Sequence, residues 1–151
     1  MIFLRAIRGD LMIKRLEDWI IKQGYTLNKS KSAFDSVDSK KKIVSLNTRS
    51  SIQKQLFSLL HECGHLLTRK NKKKFYKEFK VLADLEDVVS DKKPLRFYIL
   101  ELEDETRAWR FGLKLAKQLE IPLNIEKYNA YADKCILTYM QHGVDSLRGN
   151  L

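Results

Sequence analysis

Two histidines and a glutamate in the stretch Phe57–Leu67 have the spacing of a metal site. His61 and His65 are four residues apart, and Glu62 directly follows the first of them. Residues i and i+4 of a helix lie on the same face, so the two imidazoles can bind one ion. Glu62 stands on the same turn, near a water molecule on that ion. This H-E-x-x-H arrangement predicts two zinc ligands, His61 and His65, and a general base, Glu62.

The residues around the motif predict a buried helix. Leucine, phenylalanine, cysteine and glycine make the segment apolar nearly all the way round. A hydroxyl of Ser50 or Ser51 can cap its first turn. Buried histidines and carboxylates are costly unless something satisfies them, and a metal would do so. The alternative is a pair of core histidines bonded to backbone carbonyls. Cys63 is turned away from the histidine face and is expected to pack as a small apolar residue.

A catalytic zinc also needs a third protein ligand and an open position for water. His142, the third histidine, lies near a predicted helix end, whereas three carboxylates cluster on one predicted helix. Glu105 interrupts an apolar stripe beside the small Ala108, and we predict it as the third ligand. We expect Asp104 to be solvated and Glu101 to accept a hydrogen bond from a histidine N–H.

Size and composition indicate one domain, residues 1–151, of an ordinary globular protein. The chain is 44% apolar and 32% charged, and no apolar run is long enough to cross a bilayer. The first residues lack the features of a signal peptide. Cys63 and Cys135 show no C-x-x-C spacing, so we expect free thiols and a cytoplasmic location.

The net charge of +10 raises the question of nucleic-acid binding. Lysine and arginine concentrate in Lys29–Lys42 and Arg69–Lys80, and the second run is interleaved with Phe75, Tyr76 and Phe79. Aromatic and basic residues together are typical of a groove that follows a single strand. A charge run is more often a solvated face, or a surface that attracts an acidic protein substrate. We therefore favour an exposed segment that faces a protein substrate or partner.

Local signals predict the remaining elements. An amphipathic helix follows Asp10 as N-cap and ends at Gly24, which leaves residues 1–11 as a tail or as an extension ahead of Met12. A short strand at residues 25–27 precedes a β-hairpin formed by residues 34–37 and 42–47. Residues 75–89 fit a helix or an irregular insertion equally well.

Two long helices are predicted in the second half of the chain. Pro94 is well placed at the first turn of a helix over residues 95–119. Asn124 should cap a last helix that ends at Gly143. That helix carries Tyr128, Tyr131 and Tyr139, which are candidates for stabilising an oxyanion.

The motif Leu60–Leu67, followed after about forty residues by Glu105-Thr-Arg-Ala-Trp109, resembles the ImmA/IrrE-type metallopeptidases and related small gluzincins. The resemblance spans roughly residues 42–120. It implies a compact, mainly helical α+β zincin-like domain with a small antiparallel sheet beside the H-E-x-x-H helix. It also implies His61, His65 and Glu105 as ligands and Glu62 as base. Family members are often phage- or mobile-element-borne proteases that cleave a repressor or another regulator.

The sequence thus predicts a zinc metallopeptidase that acts on a protein or peptide substrate. One alternative is a zinc-stabilised regulatory or interaction module with little turnover. Another is a basic nucleic-acid-associated protein, such as a protease recruited to DNA in the manner of SprT-like enzymes. Those enzymes use a third histidine, which this chain does not supply at a comparable distance.

Overall fold

Six helices and three strands make up the described part of the chain. The computed structural model describes residues 2–90 and 92–149, with side chains from residue 8 onward. The fold is α+β and mainly helical, as predicted. No helix in these two ranges is both long and apolar enough to cross a membrane. The elements in chain order are α1 Ile2–Lys22, β1 Thr26–Ser30, β2 Ser36–Asp38, β3 Ile43–Asn47, α2 Ile52–Arg69, α3 Lys72–Glu78, α4 Lys80–Leu85, α5 Leu95–Gln118 and α6 Ile125–Leu147.

Helix α2 lies at the centre of the fold because its apolar side chains point to all sides. Leu59, Leu60 and Cys63 are fully buried. Helices α1 and α5 and strands β2 and β3 pack around it. Ser51 caps the helix through its hydroxyl, which accepts a hydrogen bond from the backbone N–H of Lys54. The predicted buried helix and its serine cap are both confirmed.

The sheet is mixed, not antiparallel throughout as the resemblance implied. Strands β2 and β3 form the predicted antiparallel hairpin. Strand β1 pairs with the other side of β3 in parallel, which gives the order β1–β3–β2. A hairpin follows from local turn signals, whereas the β1–β3 pairing joins strands that are separated by β2 in the sequence. The order leaves β2 as an edge strand beside α2.

The N-terminal helix is longer than predicted. It begins at Ile2, so Asp10 lies inside it and is not its N-cap, and residues 2–10 form no extended tail. Met1, one of two candidate starting residues, lies outside the described residues. Gly24 follows the helix with a φ of +82°, where a glycine is favoured because it has no Cβ. The glycine signal at this end is therefore confirmed.

Helices α5 and α6 begin where the sequence placed them, but α6 continues further. Asn124 accepts a hydrogen bond from the backbone N–H of Lys127 and caps α6. The predicted end at Gly143 is wrong, since the helix continues to Leu147. Gly143 packs closely against Tyr98 instead, and a Cβ atom added to it would lie 3.3 Å from Tyr98 Cβ. Gly143 therefore allows a close contact between α5 and α6 and does not mark the end of α6.

The basic run folds into α3 and α4 and is not wholly exposed. Its lysines at 72–74 face solvent, as predicted. Phe75 and Phe79 are buried and stack on each other with ring centroids 5.0 Å apart. They form a second apolar cluster with Leu82 of α4 and Phe97 of α5. The aromatic residues of the run therefore hold it against α5.

Candidate metal centre

His61 and His65 face each other from successive turns of α2. Their Nε2 atoms are 3.2 Å apart, and both rings are largely buried. The i, i+4 spacing alone places them on one face. Trp109 of α5 stacks on His61 with ring centroids 4.2 Å apart and an interplanar angle of 21°, which fixes the orientation of that imidazole and covers it from solvent.

An unusually close contact between α2 and α5 brings a carboxylate to the two histidines. A Cβ atom at Gly64 would overlap the backbone carbonyl of Ala108, and one at Gly112 would overlap that of Leu60. The two helix backbones therefore touch on either side of their crossing. The sequence suggested the small residues of α5, but not the matching glycine inside the H-E-x-x-H motif. The crossing places Glu105 directly opposite the histidines.

Glu105 completes a cluster of three potential metal ligands. Its Oε2 lies 2.9 Å from His61 Nε2, and its Oε1 lies 3.2 Å from His65 Nε2. One ligand atom from each residue lies within 4.8 Å of the others. His142, the rejected alternative, packs instead near Tyr98, with ring centroids 6.2 Å apart. The structure thus brings together the three residues that the sequence selected.

The distances and the donor set suit zinc. Two ligand atoms held tetrahedrally at about 2.0–2.1 Å from one zinc ion lie about 3.3 Å apart, close to the 3.2 Å between the two histidine nitrogens. Glu105 Oε2 is buried and has no hydrogen-bonding partner among the described residues, although His61 Nε2 is only 2.9 Å away. Two nitrogens and a carboxylate oxygen this close together could hold a metal ion, and catalytic zinc sites use such a donor set.

The electrostatics of the cluster favour a bound cation. Burial acts to raise the pKa of Glu105, but the two histidines outweigh it and lower that pKa to about 2. Burial lowers the pKa of His61. Burial would also lower the pKa of His65, but Asp104 and Glu105 overcome it and raise that pKa to about 10. The carboxylates thus favour a positive charge at His65, and a bound divalent cation would supply that charge in place of a proton.

The carboxylate that faces the Nδ1 atom of a candidate ligand histidine is that of Asp104, not that of Glu101. Asp104 is only 2% exposed, so the prediction that it is solvated is wrong. Its Oδ2 lies 3.5 Å from His65 Nδ1 and 2.9 Å from an Arg69 guanidinium nitrogen. Glu101 is half-buried, and the described contacts of the two histidines do not include it. Asp104 is therefore placed to orient the ring of His65.

Glu62 lines a cleft of about 250 Å³ together with the three candidate ligands. It is 6% exposed, and burial raises its pKa to about 7. A carboxylate with a pKa near neutrality can both accept and return a proton at physiological pH. The other lining residues are Asp35, Ser36, Val37, Ser39, Arg69, Glu86 and Tyr139.

One of the three candidate tyrosines faces this cleft. Tyr128 is fully buried and donates a hydrogen bond to the backbone carbonyl of Trp109, 2.8 Å away. The hydroxyl of Tyr131 lies 3.3 Å from that of Ser58. Tyr139 lines the cleft and is 36% exposed. Partial burial and then the nearby carboxylates raise the pKa of its hydroxyl, which therefore remains a donor. Packing accounts for the first two tyrosines but not for Tyr139.

Sequence reasoning missed Arg69, which links the cleft to its surroundings. It is four residues after His65 on the same face of α2, and this spacing was the available signal. Its guanidinium contacts Asp104 at 2.9 Å and Glu86 at 3.0 Å. Arg69 therefore ties α4 and α5 to the metal-site helix.

Part of the chain is similar to a known protein family. Residues 21–88 match the model of the family described as Peptidase_M78, IrrE N-terminal-like domain. The match includes the sheet and the H-E-x-x-H helix but ends before Glu105, whose place rests on the geometry above. No curated protein and no solved structure matches the chain. The match supports the resemblance to ImmA/IrrE-type proteins over residues 21–88, which are somewhat less than half of the chain.

Proposed function

We propose that the protein is a zinc-dependent metallopeptidase that hydrolyses peptide bonds in a protein substrate. The observation that carries the proposal is the convergence of His61, His65 and Glu105 beside Glu62 in one cleft. The match to a peptidase family supports it. Zinc, when bound, lowers the pKa of a water molecule to about 7 and polarises a carbonyl group.

The residues of the chain have separate roles in this proposal. Glu62 accepts the proton of the attacking water and delivers it to the leaving amine. Asp104 faces the Nδ1 atom of His65 and favours that orientation of the ring, and Trp109 covers the ring of His61. Tyr139 donates its hydroxyl proton in a hydrogen bond to the oxyanion that forms from the substrate carbonyl.

The edge strand β2 offers a way to align an extended substrate. Ser36 and Val37 of this strand line the cleft. Among the described strands, β2 pairs only with β3, so its other edge is available to pair with a peptide. A substrate strand added there runs past Glu62 and the three ligands.

The biological setting follows the resemblance. We propose a regulator or repressor as the substrate, a cytoplasmic location and an origin in a phage or another mobile element. Cys63 and Cys135 are both free thiols, which suits a reducing compartment.

Glu62→Gln tests the mechanism. Wild-type protein loaded with zinc should cleave peptides in an unbiased library read by mass spectrometry. The Glu62→Gln variant should bind zinc equally but cleave nothing, because glutamine cannot take up the proton. Zinc binding without cleavage by the wild type would favour the regulatory or interaction module. Equal cleavage by both proteins would remove Glu62 from the mechanism.

A further inference from the structure

A second, larger cavity adjoins the metal cleft. It has a volume of about 420 Å³, against about 250 Å³ for the cleft. Both are lined by Ser39, Arg69 and Glu86, which form the wall between them. A peptide lying in the cleft can therefore extend a side chain into this neighbouring cavity, which we call the basic cavity.

The residues that line the basic cavity carry a net positive charge. Its charged lining side chains are Lys42, Arg69, Lys70, Lys72 and Glu86. The charge of Arg69 is already balanced by Glu86 at 3.0 Å and Asp104 at 2.9 Å. The ion pairs among the described residues do not include the three lysines of the cavity. Three lysines thus line a space in which the carboxylate of Glu86 is already paired with Arg69.

Lys42 is held at the cavity wall. Its ammonium lies 4.8 Å from the centroid of the Tyr25 ring and 3.4 Å from the tyrosine hydroxyl. Its backbone is left-handed, with a φ of +58°, a conformation that costs free energy for any residue with a Cβ. The tyrosine contact therefore fixes the position of a cation that already lies on a strained turn.

The remaining lining of the basic cavity suits an aliphatic stem. Trp19, Leu66 and Leu67 supply apolar surface beside the cationic groups. A glutamate or aspartate side chain has this combination of methylene stem and anionic end. Successive residues of an extended peptide advance about 3.3 Å, so a side chain near the scissile bond reaches the adjoining cavity.

We propose that the basic cavity binds the carboxylate side chain of an acidic residue close to the scissile bond of the substrate. The inference rests on the proposed peptidase function and names its substrate class. The three lysines supply the attraction, and the shared wall of Ser39, Arg69 and Glu86 sets the distance from the bond that is cleaved.

Two of the three aromatic residues of the basic run are not available to stack on a nucleic acid, and the third, Tyr76, is 46% exposed and lines the cavity. The two phenylalanines of the basic run are buried against each other, and their outer faces are covered by Arg69, 4.6 Å from the Phe75 centroid, and Arg107, 4.8 Å from the Phe79 centroid. Neither ring is free to stack on a base, as single-strand recognition requires. The lysines line one cavity, whereas a single strand is bound along a groove that follows its backbone. An acidic peptide fits this arrangement better than a strand of nucleic acid.

Peptide binding to the full-length Glu62→Gln protein, loaded with zinc, tests the cavity without catalysis. The probes are a fluorescein-labelled octapeptide with two glutamates and its twin with glutamines, compared by anisotropy at low salt. We expect the glutamate peptide to bind about tenfold more tightly, since complementary charges add this order of affinity. Adding Lys70→Glu and Lys72→Glu should abolish the difference. The control carries Lys114→Glu and Lys117→Glu on an exposed face of α5 and should preserve it.

Three results would overturn the inference. The first is equal affinity of the protein for the glutamate and glutamine peptides. The second is an equal loss of the glutamate preference in the cavity variant and the control variant. The third is tighter binding of an oligonucleotide than of the glutamate peptide of the same charge, provided that the cavity variant abolishes this binding. The last result would assign the cavity to nucleic acid.

A cleavage profile separates this inference from the proposed function. Wild-type protein should enrich acidic residues at one fixed position among cleaved library peptides, and the cavity variant should replace them with lysine or arginine. A binding preference for glutamate with no cleavage by the wild type would contradict the peptidase proposal and leave the cavity. Cleavage by the wild type with no preference for acidic residues would support the peptidase proposal and contradict the role of the basic cavity.

Discussion

Gly64 of α2 lies directly against the backbone carbonyl of Ala108 in α5, so closely that a Cβ atom at Gly64 would overlap it. Gly64 belongs to the H-E-x-x-H motif, and Ala108 is one turn after Glu105. One contact between backbones therefore determines how far the glutamate stands from the two histidines. The metal site depends on this helix crossing as much as on its ligands.

Gly64→Ala should separate the two helices. Overpacking costs about 1–3 kcal/mol, which exceeds the gain of about 1 kcal/mol from replacing glycine by alanine in a helix. We expect a lower free energy of unfolding in urea and weaker zinc binding. The control is Gly143→Ala in helix α6, where the added Cβ would lie 3.3 Å from Tyr98 Cβ, so the neighbour needs to move by only a few tenths of an ångström. Wild-type stability and zinc affinity in Gly64→Ala would show that the close crossing is unimportant.

Asp104→Asn should weaken zinc binding while the three candidate ligands remain. The change removes the carboxylate that faces His65 Nδ1, and loss of such a partner typically costs about 10–100-fold in metal affinity. Zinc affinity is measured by competition with a chelating dye, and circular dichroism checks the fold. Glu103→Gln, on the exposed side of the same helix turn, is the control. An unchanged zinc affinity in folded Asp104→Asn would mean that the His65 ring needs no such support.

Tyr139→Phe should keep its zinc and lose turnover. Removing one donor to an oxyanion costs about 10²–10³-fold in kcat, and metal binding does not need this hydroxyl. The comparison is with Tyr131→Phe, whose hydroxyl lies near Ser58 and outside the cleft. If kcat on a peptide found by library screening fell equally in both variants, or in neither, Tyr139 would have no special part in the reaction.

Removing the metal should lower the melting temperature. A ligand present at 100 times its dissociation constant stabilises the folded state by about 2.7 kcal/mol, and each kcal/mol is worth about 2–4 °C in a domain of this size. Chelation should therefore lower the midpoint by about 5–10 °C. The Glu105→Gln variant, treated in the same way, should show little change. An identical midpoint of wild-type protein with and without chelator would argue against a metal in the buried cluster.

Local signals predicted much of this structure. Ser51 and Asn124 begin their helices as capping residues should, and Pro94 precedes α5. The spacing of the two histidines placed both imidazoles on one face of α2. Each of these features depends on a few neighbouring residues, which is why the sequence alone was sufficient.

The features that were missed depend on contacts between distant segments. The rotation of α5 about its axis relative to α2 decides whether Glu101 or Asp104 faces the Nδ1 atom of His65. The helical pattern of α5 allows either residue to do so. Local signals indicate a helix end at Gly143, because they do not reveal its contact with Tyr98, a residue 45 positions earlier in the chain. The parallel pairing of β1 with β3 is likewise a long-range choice.

Zinc content of purified variants, measured by mass spectrometry of the metal, tests the central claim most directly. Wild-type protein should hold about one zinc ion per chain, as a three-ligand site requires. Glu101→Gln changes a neighbouring carboxylate of the same helix and should hold the same amount. Glu105→Gln should fold, by circular dichroism, and hold almost none. Full zinc occupancy in folded Glu105→Gln, or a wild-type protein without zinc, would contradict the assignment of His61, His65 and Glu105 as its ligands.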